Sequence, residues 1–299
     1  MTGLRWQSAL ALIVAVLAGM IAFAWPLFLR PEGSASPLQA PMVFALVLPL
    51  SLAIVLAELA GGELDVKALA MLGVLAAVGS ILRPLSAGTA GFELVFFLLI
   101  LAGRVFGAGF GFALGAITLF TSALITSGVG PWLPYQMLAA GFIGLFAGWL
   151  PKASGRGELV LLAGYGMVSA FGYGWLMDFS FWPFALGDGT QLSFDPAATP
   201  LQNLHRFALF NLATSMGWNL GRALTNAVVI LMVGAPLLRL LRRTARRASF
   251  TAGHGVRTDP LPTIEPAGTS PSAGPSAGSD PDPARAEVPP IRPAGNTGP

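Results

Sequence analysis

The chain has 299 residues, of which 54% are hydrophobic and only 10% charged, with a mean hydropathy of +0.70 and a formal charge of +3. A soluble domain usually carries about a quarter charged residues, so the charges here are too few to cover a water-facing surface of this size, and lipid is the expected solvent. With no cysteine and only two histidines, His205 and His254, the chain excludes disulfides, thiolate metal sites and a histidine-built cage; its basic residues cluster at segment ends, which is no nucleic-acid signature, and neither a metal nor a cofactor is expected.

Spanning ~30 Å of hydrocarbon takes ~20 helical residues. Apolar runs bounded by charge, Pro or Gly fall at about 8–29, 41–60, 68–82, 93–103, 108–126, 134–150, 158–182 and 208–238. The first follows Arg5 and ends at Trp25-Pro26 and Arg30 with no small-residue cleavage site, so it reads as a retained span rather than a signal peptide. The 93–103 run is short and either stands alone or joins 108–126 as one bent element. Residues 249–299 are rich in Pro, Gly, Ser and Ala, cannot bury enough apolar area to offset their ordering entropy, and read as a disordered tail.

Lys and Arg placement sets the orientation. Eight spans with both termini in the cytoplasm put Arg5, Lys67, Arg104, Lys152, Arg156, Arg239, Arg242, Arg243, Arg246 and Arg247 inside, against Arg30, Arg83 and Arg206 outside, ten to three. The Arg239–Arg247 cluster also reads as a contact for anionic lipid. Arg104 is expected to snorkel to the cytoplasmic interface, and Glu58 to be solvated.

Glycines recur at helical spacing: Gly103, Gly107, Gly111 and Gly115; Gly141, Gly144 and Gly148; Gly166 with Ala170 and Gly174; Gly217 with Gly221. Ala70, Gly73 and Ala77 form a further small face, and so do Ala11, Ala15, Ala18 and Ala22. Such faces let helix backbones approach closely in lipid. Most are expected to pack within the molecule; some are free to dock a second membrane protein.

Ionisable groups at membrane depth are costly and therefore candidates for function. Arg222 lies near the middle of the 208–238 run, beside Trp218, and positions 211, 215, 219, 222 and 226 trace one face as Asn211, Ser215, Asn219, Arg222 and Asn226. A polar stripe of that kind cannot face lipid, so it lines a cavity or pairs with other helices, and the cavity is favoured. Asp178 sits about one turn inside its span among Tyr173, Trp175, Phe179, Phe181 and Trp182; an interfacial aromatic belt and a ligand cavity explain it equally well. Phe92-Glu93 opens a span after Arg83-Pro84, and the segment from Gly128 to Gln136 carries Trp132, Tyr135 and Gln136, suited to stacking on and hydrogen-bonding a flat ligand. The candidate substrate-binding set is thus Glu93, Trp132, Tyr135, Gln136, Tyr173, Trp175, Asp178, Asn211, Trp218, Asn219, Arg222 and Asn226.

No G-x-x-x-x-G-K-[ST] loop, H-E-x-x-H, G-x-S-x-G or paired-carboxylate motif occurs, so enzyme and self-powered pump readings are weak. Neither a repeated pore filter nor an inverted repeat is visible.

Residues 68 to 240 resemble the substrate-binding S-components of energy-coupling factor (ECF) vitamin transporters. The resemblance rests on Gly91-Phe-Glu93 before a short span, Gly103-Arg-Val-Phe-Gly-Ala-Gly-Phe-Gly111, Gly130-Pro-Trp-Leu-Pro-Tyr-Gln-Met137, Gly141-Phe-Ile-Gly-Leu-Phe-Ala-Gly148 and a polar final span. It implies an all-α integral membrane protein with a six-helix binding core over 68–248, both termini cytoplasmic, in a bacterial plasma membrane. It also implies partners, a transmembrane scaffold subunit and a pair of ABC-type ATPases, which accounts for the missing phosphate loop. The substrate would be a vitamin-like molecule captured outside and delivered inward by toppling of the loaded subunit, with cobalamin or a corrinoid precursor as the first expectation. Ala70, Gly73 and Ala77 match the family's scaffold-docking face. The departure is a two-helix hairpin over 1–67 ahead of the core; if the core register is shifted, Ala11, Ala15, Ala18 and Ala22 take the docking role instead. An ion-coupled secondary transporter using Asp178, Glu93 or Arg222, and a membrane assembly protein with no ligand, are the alternatives.

Overall fold

The computed structural model describes residues 6–28, 66–86, 91–186 and 189–252, all within the first of two units, Met1–Gly255. The expected 41–60 span, Glu58 and most of the tail lie outside the described residues. Among the described residues every regular element is a helix: α1 (Trp6–Phe23), the single turn α2 (Trp25–Phe28), α3 (Val66–Ser86), α4 (Val95–Phe106), α5 (Ala108–Ile125), α6 (Leu133–Trp149), α7 (Gly155–Ala185), α8 (Pro200–Thr214) and α9 (Met216–Ala252). Helix α9 therefore continues a few residues into the stretch expected to start the tail. Among the described residues four helices, within α3, α5, α7 and α9, are long and apolar enough to cross a membrane, with α4 a shorter apolar helix.

The 93–103 and 108–126 runs are two helices in a hairpin, not one bent element. Their joint is a single residue, Gly107, at φ 101°, a conformation that costs little only without a Cβ. The reversal brings Gly103 against Gly111, and Gly144 of α6 lies against both: a Cβ on Gly103 or Gly111 would stand 2.1 or 2.3 Å from the Gly144 carbonyl oxygen. Gly115 meets the Ala140 backbone and Gly148 meets Ala108 in the same way. Two of the small-residue stripes thus pack on each other, backbone to backbone, as the tightly packed centre formed by α4, α5 and α6.

Around that centre, α3 packs on α5, while α7 and α9 pack on each other and on α4. Gly166 and Gly174 of α7 admit α9, with Asn219 lying directly on Gly174. The Ala70, Gly73 and Ala77 face of α3 is different: all three are exposed, and among the described residues nothing lies within 4 Å of where a Gly73 Cβ would be, which is true also of the exposed Gly217 on α9. Its opposite face, Leu72, Leu75, Ala76, Gly79 and Ser80, is buried.

The expected 208–238 span is divided. Helix α8 begins early, at a capping box in which Thr199 accepts from the Gln202 backbone and Gln202 answers to the Thr199 backbone. It ends at Ser215, the single residue between α8 and α9, whose backbone N–H still donates to the Asn211 carbonyl at 2.9 Å. Phe207 of α8 packs edge-on against Phe179 and Trp182 at the end of α7. Asn211 and Ser215 therefore belong to a separate element from Asn219, Arg222 and Asn226.

Candidate functional site

The site follows from one short helix. With 12 residues α4 extends only ~18 Å, well below the neighbouring 21-residue α3. The chain that enters it, Gly91 to Leu94, runs against α9 rather than over the bundle. Gly91 permits this: at φ 79° its missing Cβ would stand 2.2 Å from the Trp218 carbonyl oxygen. A cleft of about 290 Å³ remains, lined by Arg83 and Pro84 from the end of α3, Gly91, Phe92 and Glu93, Thr126 after α5, and Trp218 and Arg222 from α9.

Arg222 is the centre of this arrangement. Its Nε donates to Glu93 Oε2 at 2.7 Å, and its Nη1 donates to Asn219 Oδ1 at 3.1 Å. The guanidinium lies over two rings, 5.2 Å from the centroid of Tyr173 and 5.8 Å from that of Phe96, distances at which the ring faces attract a cation. The Arg222 and Glu93 side chains are 15% and 17% exposed, so the pair is mostly desolvated yet reachable from the cleft. One turn further, Asn226 Nδ2 donates to the Arg222 carbonyl at 2.8 Å and to the Glu93 carbonyl at 3.4 Å. Asn219 Nδ2 and Asn226 Oδ1 are buried with no hydrogen-bond partner among the described residues. Buried polar atoms are nearly always paired, so these two are exceptions within the packed interface behind the cleft. Across the cleft, Arg83 donates to Gln136 Oε1 at 3.0 Å and to Ser122 Oγ at 3.5 Å.

The residues expected to bind substrate do not all come together. Glu93, Trp218 and Arg222 line the cleft; Tyr173, Asn219 and Asn226 support Arg222; and Gln136 holds Arg83. Asp178 and Asn211 form a second cluster, the Asn211 amide donating to the Asp178 carboxylate. Tyr135 lies in the apolar core, fully buried between Phe23 and Phe181 with ring centroids at 5.1 and 5.9 Å. Trp132 and Trp175 are outside the cleft: both are exposed, Trp132 closing its own loop by an indole N–H bond to the Gly128 carbonyl. Arg83, Phe92 and Thr126 complete the lining and were not among the expected ligands. The sequence signal for Arg83 was its place, with Pro84, ahead of the Phe92-Glu93 segment.

At the opposite end of the bundle, Arg104 is held by protein partners at the last turn of α4. It donates to Glu158 Oε1 at 2.9 Å and to the Leu150 carbonyl at 2.8 Å, with side-chain exposures of 9% for Arg104 and 2% for Glu158. Arg242 of α9 closes on the same carboxylate oxygen. One acidic side chain on α7 thus ties α4 and α9 together. No protein-family model matches the chain, and neither a curated protein nor a solved structure shows significant similarity to it.

Proposed function

We propose that this protein is the membrane-embedded substrate-binding subunit of an ATP-driven importer of the energy-coupling factor type, taking a vitamin-like solute from outside and delivering it inward with a scaffold subunit and ABC-type ATPases. The observation that carries this reading is the cleft built around the Glu93–Arg222 pair at 2.7 Å, in the half of the bundle that the basic residues assign to the outside. Small-molecule sites combine apolar walls with a few convergent polar groups, and this cleft has Phe92 and Trp218 as walls and Arg83, Glu93 and Arg222 as the polar groups. The exposed Ala70, Gly73 and Ala77 face supports a docking role, since the glycine stripes of α4, α5 and α6 are already occupied by each other. The six-helix core is α3 to α7 with α9, and α8 is then an addition at the end of α7. At about 290 Å³ the cleft suits a ligand much smaller than a corrinoid, which moves the expected substrate toward a single-ring compound.

Purification of the tagged full chain from its native host tests this. The expected result is co-purification of a membrane scaffold and two ATPases, with solute uptake that needs ATP; uptake by the purified chain alone in liposomes without ATP would overturn it. One observation favours a second reading, an ion-coupled transporter. Asp178 is partly buried, bonded to Asn211, and has no cation at ion-pair distance among the described residues. Uptake that collapses with a protonophore and ignores ATP would select that reading.

A further inference from the structure

The geometry points to a small organic acid as the occupant of the cleft: a planar ring carrying a carboxylate or phosphoryl group that takes Arg222 over from Glu93. This rests on the binding-subunit reading and adds to it a ligand class and an exchange of partners. Three observations carry it.

The first is charge. Among the described residues, Arg222 and Glu93 are the charged pair that faces the cleft from α9 and from the chain entering α4. A carboxylate or phosphoryl group would meet the Arg222 guanidinium, whereas a cationic ligand could pair among these residues only with Glu93, which Arg222 already holds.

The second is unused bonding capacity. A guanidinium has five N–H donors in a planar fork. The Arg222 bonds to Glu93 Oε2 and Asn219 Oδ1 use one on Nε and one on Nη1, leaving three, including both on Nη2, with no partner among the described residues. Glu93 is held through one oxygen, so the pair is not the bidentate clasp that arginine and a carboxylate can form. The rings of Phe96 and Tyr173 hold the guanidinium whether or not Glu93 stays on it. Glu93 in turn sits in the segment after Gly91, whose left-handed backbone rather than a regular helix sets its position. An incoming carboxylate or phosphoryl group would engage the free side of the fork and compete with Glu93 for the rest.

The third is shape. Phe92 and Trp218 flank the charged groups and are 45% and 46% exposed, leaving two ring surfaces for a planar ligand to cover. The volume, about 290 Å³, is at the small end of the usual range of ~300–1,000 Å³ for ligand pockets.

The test is equilibrium dialysis on the full chain in phosphatidylcholine nanodiscs with benzoate, benzamide and benzylamine, one shape with three charges. Benzoate is expected to bind at least about tenfold more tightly than benzamide, with benzylamine the weakest, because a charge-assisted bond to arginine is at stake. Glu93→Gln removes the competing anion and keeps its shape; it should tighten benzoate by about tenfold and leave benzamide within about twofold. Arg222→Gln should abolish the preference for benzoate. Equal affinity for benzoate and benzamide, no measurable binding of benzoate, or weaker benzoate binding by Glu93→Gln would each overturn the proposal. If Glu93→Gln fails to fold, the benzoate-to-benzamide ratio of the unaltered chain decides alone. Nanodiscs containing phosphatidylglycerol identify the source of the anion: unchanged benzoate affinity supports a free acid, whereas loss as complete as that of Arg222→Gln means that a lipid headgroup holds Arg222 and the free-acid proposal fails. The importer reading is decided by the co-purifying ATPases, so either conclusion can fail without the other.

Discussion

Arg104 and Glu158, 54 residues apart in sequence, meet at 2.9 Å, and both side chains are almost fully removed from solvent. Glu158 also takes Arg242, so one carboxylate satisfies two guanidinium groups from α4 and α9. Removing the shared carboxylate leaves Arg104 buried without its counter-ion. Breaking one partner of a buried pair typically costs about 3–5 kcal/mol. Glu158→Gln should therefore lower the thermal unfolding midpoint of the detergent-solubilised protein more than Arg242→Gln does, since Arg242 is 41% exposed and retains water when the pair is lost. Equal effects of the two substitutions would show that the carboxylate is not the organising group.

The glycine packing gives a sharper stability contrast. A Cβ on Gly144 would stand 2.1 Å from the Gly111 carbonyl oxygen, so Gly144→Ala must push α5 and α6 apart, at a cost of roughly 1–3 kcal/mol for overpacking. Gly73 has open space around it, so Gly73→Ala should leave the midpoint unchanged. Gly73→Leu should also fold normally while reducing the recovery of scaffold and ATPases in a pull-down. Loss of folding in Gly73→Leu, or undiminished recovery of partners, would remove the docking role of this face.

Two aromatic residues that look alike in sequence as ligand-stacking candidates should behave differently. Tyr135 is packed between Phe23 and Phe181, so Tyr135→Ala should destabilise the fold by about 3–5 kcal/mol, the usual cost of deleting a large buried ring. Tyr135→Phe keeps the ring and should leave ligand binding unchanged. Trp175 is 51% exposed on the outside of α7, and Trp175→Ala should alter neither folding nor binding in dialysis. A loss of binding in Tyr135→Phe would mean that its hydroxyl takes part in the site after all.

Helices were legible in the sequence where a run of apolar residues met a conformational break. The short α4 is legible as the 93–103 run and the glycine spacing on α5 and α6 as close packing, whereas the hairpin is not, because the apolar pattern allows one bent element equally well and the reversal rests on Gly107 alone. The α8–α9 division could not be read the same way, because it is a single residue, Ser215, and the apolar pattern runs on through it. Arg222 stood out as a charge inside a span, but its partner Glu93 is 129 residues away, and no periodicity links the two. Glu158 escaped notice because it opens a helix beside Arg156 and Lys152, which is also how a solvated charge looks. Charge counting assigned Arg83 and Arg104 to opposite interfaces but carried no information about depth, so it missed the cleft position of one and the burial of the other.

The Arg222–Glu93 pair makes the effect of removing Arg222 a compound one, and the two parts can be separated. Arg222→Ala deletes a bond to Glu93 and leaves that carboxylate, 17% exposed, without its cation. A simple loss of ligand binding in this variant would therefore be ambiguous, because the fold is weakened as well. In the double variant Arg222→Ala, Glu93→Gln the stranded charge is gone, so its stability should recover by about 1–2 kcal/mol relative to Arg222→Ala, a coupling of the size expected for groups in direct contact. Ligand binding should not recover with it, because the guanidinium remains absent. Asn219→Ala gives an independent check: it removes the Oδ1 acceptor for Arg222 Nη1 and the buried, unpartnered Nδ2 at once, so the fold should change little while binding weakens. Thermal unfolding and dialysis on the same preparations would measure both quantities. Parallel recovery of stability and binding in the double variant would show that Arg222 serves only to neutralise Glu93, and that the polar face of α9 is a packing network rather than a binding surface.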